Sequence, residues 1–118
     1  MTEYPSYLEL HRSGELYRRA AEARQRLAAC AMCPRACGVN RLRGEEGYCR
    51  AGASVRVASW NAHMWEEPPI SGARGSGTIF FAYCTARCRF CQNWPISQLG
   101  HGTDVSSERL GGMMLELQ

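Results

Sequence analysis

The chain contains no lysine, so arginine carries all of its side-chain positive charge outside histidine. The balance of Lys+Arg 14 against Asp+Glu 11 leaves a formal net charge of +3, an excess too small to predict a nucleic-acid partner. Arginine suits phosphate or carboxylate partners, whereas a coding bias explains the same usage without any function. We favour the coding bias.

Long apolar runs are also absent. The longest, Ile79 to Cys84, is far below the roughly 18 residues of a membrane-spanning helix. The first 29 residues are interspersed with Glu, Arg and His and show no apolar core of a secretory signal. We therefore expect a cytoplasmic protein without a membrane partner. In that compartment the 7 cysteines are expected to bind metal or act chemically instead of forming disulfides.

Hydrophobic residues make up 45% of the 118 residues, which is ordinary for a globular chain. We expect an α/β fold in three segments: a helical segment over 1–29, a Cys-rich metal-binding and loop region over 30–76, and the start of a larger domain over 77–118. Ser6 and Glu9 form a capping-box pattern for a helix at Tyr7–Arg12. Apolar spacing predicts a second helix over Glu15–Ala29, which either packs on its own domain or docks a partner.

Periodicity and turn residues predict the remaining elements. Gly77–Tyr83 is apolar on both faces, as in a strand buried in a parallel sheet or barrel. The other expectations are a strand at Ser54–Trp60, a long loop over Asn61–Gly77, an extended segment at Trp94–Leu99, and a final helix with N-cap candidates at Asp104–Ser107 that runs to Gln118.

The first cysteine cluster consists of Cys30, Cys33, Cys37 and Cys49. Four thiols are a suitable ligand set for zinc or for an iron–sulfur cluster, because soft thiolates select these metals. Such a site stabilises a loop region that has few apolar residues of its own. The spacing leaves zinc, iron–sulfur and free thiols open as alternatives.

The second cluster, Cys84, Cys88 and Cys91, has the spacing C-x3-C-x2-C and follows the most apolar stretch of the chain. Three thiolates can hold three irons of a four-iron cube and leave the fourth iron open to another ligand. A closed structural zinc site needs four ligands, so a structural metal site is the weaker interpretation.

The flanks of both clusters sharpen this reading. An aromatic residue, Phe90, stands between the last two cysteines, and further motifs follow one another in a fixed order: PRACGVNR at 34–41, EEPPISG at 66–72, GSGTIFF at 75–81 and CQNWPISQ at 91–98. Together they resemble the radical S-adenosylmethionine (SAM) subgroup that is similar to pyruvate formate-lyase activating enzymes. The resemblance extends from about Tyr7 to Gln118.

The resemblance implies that Cys84, Cys88 and Cys91 ligate a 4Fe–4S cluster whose open iron binds S-adenosylmethionine. Reductive cleavage of that cofactor would yield a 5′-deoxyadenosyl radical that abstracts hydrogen from the substrate. Phe90 would lie near the adenine, and Asn93 with Gln92 would contact the cofactor or stabilise the loop. Implied partners are a glycyl-radical protein substrate and a flavodoxin- or ferredoxin-type electron donor.

Three weaker features have structural alternatives. His63 is a metal ligand or proton donor in one interpretation and a structural residue in the other. Glu66 and Glu67 form an acid/base pair in one interpretation. In the other, they form a capped turn before the double proline or a salt bridge with Arg35 or Arg74. Gly75-Ser76-Gly77 resembles a phosphate loop but precedes a strand, which is the wrong order for a phosphate site.

The resemblance implies a partial or full (β/α) barrel. A complete eight-strand barrel takes about 250 residues, so only the first βα unit of a radical SAM barrel is expected in this sequence. We expect an N-terminal fragment that carries the cluster ligands but lacks most of the cofactor and substrate walls. The alternative is a small zinc or iron–sulfur binding module without catalytic activity.

Overall fold

The computed structural model describes residues 5–65 and 67–118, which form a mixed α/β fold. The chain divides into two compact units, Met1–Gly47 and Tyr48–Gln118. Within the described residues, no helix combines the length and apolar character that crossing a membrane requires.

The first unit is helical and then irregular. Helix α1 spans Tyr7–Arg12 as predicted, although the side chain of Ser6 makes no capping hydrogen bond. Gly14, at φ 75°, separates it from helix α2, Glu15–Gln25. The predicted helix to Ala29 ends earlier because the chain tightens into a 3-10 turn over Arg26–Ala29. A second 3-10 turn covers Arg41–Arg43, and the side chain of Asn40 caps it by accepting from the Arg43 N–H.

Helix α2 is held by ion pairs on its own surface and has no buried residue. Glu15 accepts from Arg18 and from Arg19, at 2.7 Å in each case. Glu22 pairs with Arg18 at 3.0 Å. Hydrogen bonds from Arg18 and Arg19 lower the pKa of Glu15 to about 2.

Acid is expected to loosen α2 through Glu15. Its pKa in the folded chain lies below its ordinary value, so its contribution to stability is present above pH 4.5 and is lost as pH falls towards about 2. Circular dichroism across this range is expected to show a smaller acid-induced loss of helix in Glu15→Gln than in the unmodified chain. Glu9→Gln in α1 is the control, and identical acid curves for all three proteins would contradict the role of Glu15.

The second unit contains a three-stranded antiparallel sheet with the order β2-β1-β3. Its strands are β1, Val55–His63; β2, Ser76–Phe81; and β3, Thr103–Val105. Its helices are α3, Pro68–Ser71; α4, Trp94–Ser97; and α5, Ser107–Glu116.

Two sequence predictions in this unit were wrong, one in the end of a strand and one in the type of element. Strand β1 continues into the predicted loop because residues 61–63 pair with residues 76–78 of β2, a partner distant in sequence. The segment at Trp94–Leu99 is not extended: α4 forms over Trp94–Ser97. Pro95 suits the first helical turn, and the N–H groups of Ile96 and Ser97 both donate to the Asn93 carbonyl.

Strand β2 forms where the apolar run predicted a strand, but it does not lie in the parallel, buried surroundings that the run predicted. Its neighbour, β1, is antiparallel, and β2 stands at the edge of the sheet. An edge strand is covered on fewer sides than a central one, so no residue of β2 is buried and Phe81 is 49% exposed.

Helix α5 begins where the N-cap residues predicted, with the Ser106 hydroxyl accepting from the Arg109 N–H at 3.1 Å, and it ends at Glu116 instead of Gln118. Met113, 2% exposed, is its buried residue. The Trp60 indole N–H donates to Glu116 at 3.0 Å, and the Arg109 guanidinium lies 4.9 Å from the Trp60 ring centroid. These contacts tie α5 to β1.

Gly100 packs against the Tyr83 ring and has no room for a side chain. A Cβ atom there would overlap the ring, and its φ of +70° disfavours an L residue. The Gly100 carbonyl also accepts from Arg56 Nε at 2.7 Å, and Arg56 pairs across the sheet with Asp104 at 2.9 Å. The end of β2, β1 and the approach to β3 are therefore joined at this glycine.

Replacing Gly100 is expected to destabilise the second unit. Gly100→Ala must displace Tyr83 and strain the backbone, which costs about 2 kcal/mol. Gly111→Ala is the matched control, because its Cβ meets nothing within 4 Å in α5 and alanine stabilises a helix by about 1 kcal/mol relative to glycine. Denaturant unfolding measures both, and equal stability of the two variants would refute this packing role.

Candidate metal centre on the cysteine loop

The loop that carries Cys84, Cys88 and Cys91 begins with a sharp change of direction after β2. Ala82 is buried and donates its N–H to the Arg56 carbonyl at 2.9 Å. Tyr83 then adopts φ 67°, the left-handed region that few non-glycine residues enter. Its N–H donates to the Ile96 carbonyl at 3.0 Å, so the first residue of the turn is held by the helix that follows the loop.

Helix α4 also holds the second half of the loop. Gln98 Nε2 donates to the Cys88 carbonyl at 2.7 Å, and the Cys91 N–H donates to the same oxygen at 3.3 Å. The thiol of Cys91 lies 3.2 Å from the Ser97 hydroxyl, which is buried. Residues 96–98 therefore support the backbone of the loop through hydrogen bonds. Of the three thiols, that of Cys91 takes part through its contact with Ser97.

The three thiols are free, with Cys84 and Cys88 exposed and Cys91 partly buried. Phe90 is 92% exposed between the last two of them. Asn93 precedes α4, and its backbone carbonyl accepts from the N–H groups of Ile96 and Ser97, whereas the role of its side chain stays a prediction. Across residues 5–65 and 67–118, no three side chains of His, Cys, Asp or Glu are grouped to hold a metal ion, so the cluster ligands stay a prediction.

In the first unit, backbone hydrogen bonds organise the cysteines of the first cluster into a turn. The Cys30 N–H donates to the Val39 carbonyl at 3.0 Å, and the Gly38 N–H returns a bond to the Cys30 carbonyl at 2.9 Å. The Ala36 N–H donates to the Cys33 carbonyl at 3.0 Å. A Cβ on Gly47 would come within 3.1 Å of the Cys37 sulfur, so glycine leaves that thiol its space.

Cys30 is buried, and its thiol receives hydrogen bonds from the Met32 N–H and from the side chain of Arg41, which lower its pKa. Arg41 is itself 6% exposed. A buried guanidinium is stabilised by an anionic partner, and a thiolate is the form of cysteine that binds metal. Cys49, the fourth predicted ligand, is a buried residue of the second unit, and its role in this site stays a prediction.

Where they are described, the weaker candidates lie at the ends of strands and helices, and their functional roles stay predictions. His63 ends β1 and pairs with Ser76. The Glu67 carbonyl accepts from the Ile70 N–H at the start of α3, whereas Glu66 lies outside the described residues. Gly75 packs tightly, since a Cβ there would come within 2.6 Å of the Met64 sulfur, and Ser76 with Gly77 opens β2.

Sequence reasoning missed the residues that support the two cysteine clusters. Arg41, Arg87, Ser97 and Gln98 each bond to a cysteine or to its neighbourhood through a specific geometry. The sequence signal that could have indicated Ser97 and Gln98 is Pro95. Proline favours the first turn of a helix, and a helical turn here brings Ser97 and Gln98 back towards the cysteine loop.

Arg41 is expected to control the reactivity of Cys30. In Arg41→Gln the loss of a positive hydrogen-bond donor raises the pKa of this thiol, so its alkylation at neutral pH becomes slower. Site-resolved mass spectrometry after iodoacetamide treatment measures the rate. Arg43→Gln, an exposed position in the same 3-10 turn, is the control. Equal slowing in both variants, or none in Arg41→Gln, would contradict this assignment.

Comparison with known proteins finds one informative similarity. The chain is 41% identical over 70 residues to the uncharacterized protein MJ0674 of Methanocaldococcus jannaschii, an alignment that covers 59% of this chain and 19% of that protein. The chain thus matches about a fifth of the length of this relative. No protein-family model and no solved structure matches the present chain.

Proposed function

We propose that the chain carries the cluster loop of a radical SAM iron–sulfur protein that resembles the glycyl-radical activating enzymes. The observation that carries the proposal is the loop itself: three free thiols in C-x3-C-x2-C spacing stand directly after a strand, on a backbone held by α4. The order of the surrounding sequence motifs supports the same family.

The donor set fits a 4Fe–4S cluster in its chemistry. Cys84, Cys88 and Cys91 would hold three irons, and none of them is committed to a disulfide. Cys84 and Cys88 are exposed, so their thiols can turn towards a cluster without displacing a packed core. The Ser97 hydroxyl can donate to the Cys91 sulfur, an outer hydrogen bond of the kind that orients metal ligands.

When bound, such a cluster supplies the electron that cleaves S-adenosylmethionine. The task of the chain is to orient the cofactor. The exposed ring of Phe90 offers an apolar face for an adenine beside Cys91, and the Asn93 side chain is the nearby polar candidate for a cofactor contact.

The finer architecture belongs to the same proposal. Strand β2, the cysteine loop and the helices after it would form the first βα unit of an incomplete radical SAM barrel. Turnover on a glycyl-radical protein, with electrons from a flavodoxin- or ferredoxin-type donor, would require the rest of such a barrel.

Anaerobic reconstitution with iron and sulfide tests the cluster. The unmodified chain is expected to bind a cluster whose electron paramagnetic resonance signal changes when S-adenosylmethionine is added. Replacing any of Cys84, Cys88 or Cys91 with Ser should abolish this signal, because three thiolates are the minimum set for the open-iron cluster. Thr85→Ala, in the same loop but without a ligand atom, is the control and should keep it.

A chain that binds only zinc at these thiols, or a signal that still responds to S-adenosylmethionine after all three Cys→Ser changes, would refute the proposal. A cluster that forms but does not respond to S-adenosylmethionine would refute its cofactor part alone.

A second candidate function is a small metal–thiolate module built on the first cysteine cluster. The buried Cys30 thiol, with Arg41 and the Met32 N–H directed at it, favours this candidate. In a chain with Cys84, Cys88 and Cys91 all changed to Ser, we expect one zinc or one iron–sulfur cluster to remain. Elemental analysis distinguishes the two metals, and Cys30→Ser should remove either.

A further inference from the structure

Arg87 lies between two predicted cluster ligands, Cys84 and Cys88, in an unusual conformation. Its φ is 48°, in the left-handed region, where a non-glycine residue persists only if its surroundings stabilise it. The contacts of its guanidinium are the candidates for that stabilisation.

Two contacts of Arg87 reach the same residue. Its Nη1 atom donates to the Tyr48 carbonyl at 2.8 Å, and its guanidinium carbon lies 5.5 Å from the centroid of the Tyr48 ring. The hydrogen bond is charge-assisted and the ring contact is a cation–π interaction, so together they fix the direction of the side chain. Tyr48 belongs to the same compact unit as the loop.

Tyr48 directly precedes Cys49, which is 8% exposed, whereas both cysteines that flank Arg87 are exposed. Arg87 thus joins an exposed thiol loop to the backbone beside a buried thiol. The contacts from Ser97 and Gln98 hold the loop at Cys91 and Cys88, and Arg87 holds it between Cys84 and Cys88.

We propose that Arg87 is a positioning residue that couples the Tyr48–Cys49 segment to the C-x3-C-x2-C loop. Burial of Cys49 holds the neighbouring Tyr48 carbonyl in place. The hydrogen bond from Arg87 to this carbonyl then restrains the loop between Cys84 and Cys88. The inference rests on the proposed cluster function for its purpose, although the coupling itself belongs to the metal-free chain.

Amide hydrogen exchange of the full metal-free chain, under reducing anaerobic conditions, tests the coupling. In Arg87→Gln we expect amide exchange at Tyr83 and Cys91, whose N–H groups donate to the Ile96 and Cys88 carbonyls, to rise about fivefold, as the loss of one charge-assisted hydrogen bond implies. Arg87→Lys, which keeps the charge and a donor, should recover part of the difference. Arg89→Gln, an exposed arginine of the same loop, is the control and should leave both rates unchanged.

Cys49→Ser should speed amide exchange at Tyr83 and Cys91 when Arg87 is present and add little when Arg87 is replaced by Gln. Tyr48→Ala provides a second variant with Cys49 intact and should show the same dependence on Arg87. Unchanged rates in Arg87→Gln, or effects of Cys49→Ser and Tyr48→Ala that are equal with and without Arg87, would overturn the coupling.

Reconstitution then separates this inference from the proposed function. If the loop binds a cluster, Arg87→Gln should lose iron faster than Arg89→Gln. If the unmodified chain binds no cluster at the loop, the proposed function fails, while the exchange rates of the metal-free chain still decide the role of Arg87.

Discussion

The contact between Tyr83 and Gly100 is the constraint on which the second unit depends. Tyr83 turns the chain out of β2 with a left-handed backbone, and its ring occupies the space that any side chain at Gly100 would need. The same glycine offers its carbonyl to Arg56, whose own carbonyl accepts the Ala82 N–H. One small packed region therefore sets where the strand ends and where the cysteine loop starts.

The two cysteine clusters differ in how they are prepared for chemistry. The loop thiols of Cys84 and Cys88 are exposed on a supported backbone, an arrangement suited to a cofactor that must meet a second molecule. Cys30 is buried and held by Arg41, which suits a closed metal–thiolate site. This contrast in exposure is compatible with the proposed division into a reactive cluster and a structural or auxiliary one.

Local patterns predicted the elements whose causes are local. Helix α1, the start of α2 and the N-cap of α5 at Ser106 follow from residues within one turn of each boundary. The apolar run also located β2. The same patterns failed for the second half of β1, because residues 61–63 are strand through their pairing with β2. They also failed for β3, which is short and pairs with β1, with Asp104 opposite Arg56.

By itself, the sequence determined the thiol spacing, the motif order and the starts of α1, α2 and α5, because each depends on residues that are close along the chain. Only the tertiary structure decided that β2 is an antiparallel edge strand, that α4 turns back to support Cys88 and Cys91, and that Arg87 reaches Tyr48. These features depend on contacts between residues far apart in sequence, such as the hydrogen bond across 39 positions from Arg87 to Tyr48. Periodicity carries no information about such partners, because the pattern of one segment does not specify which distant group will meet it.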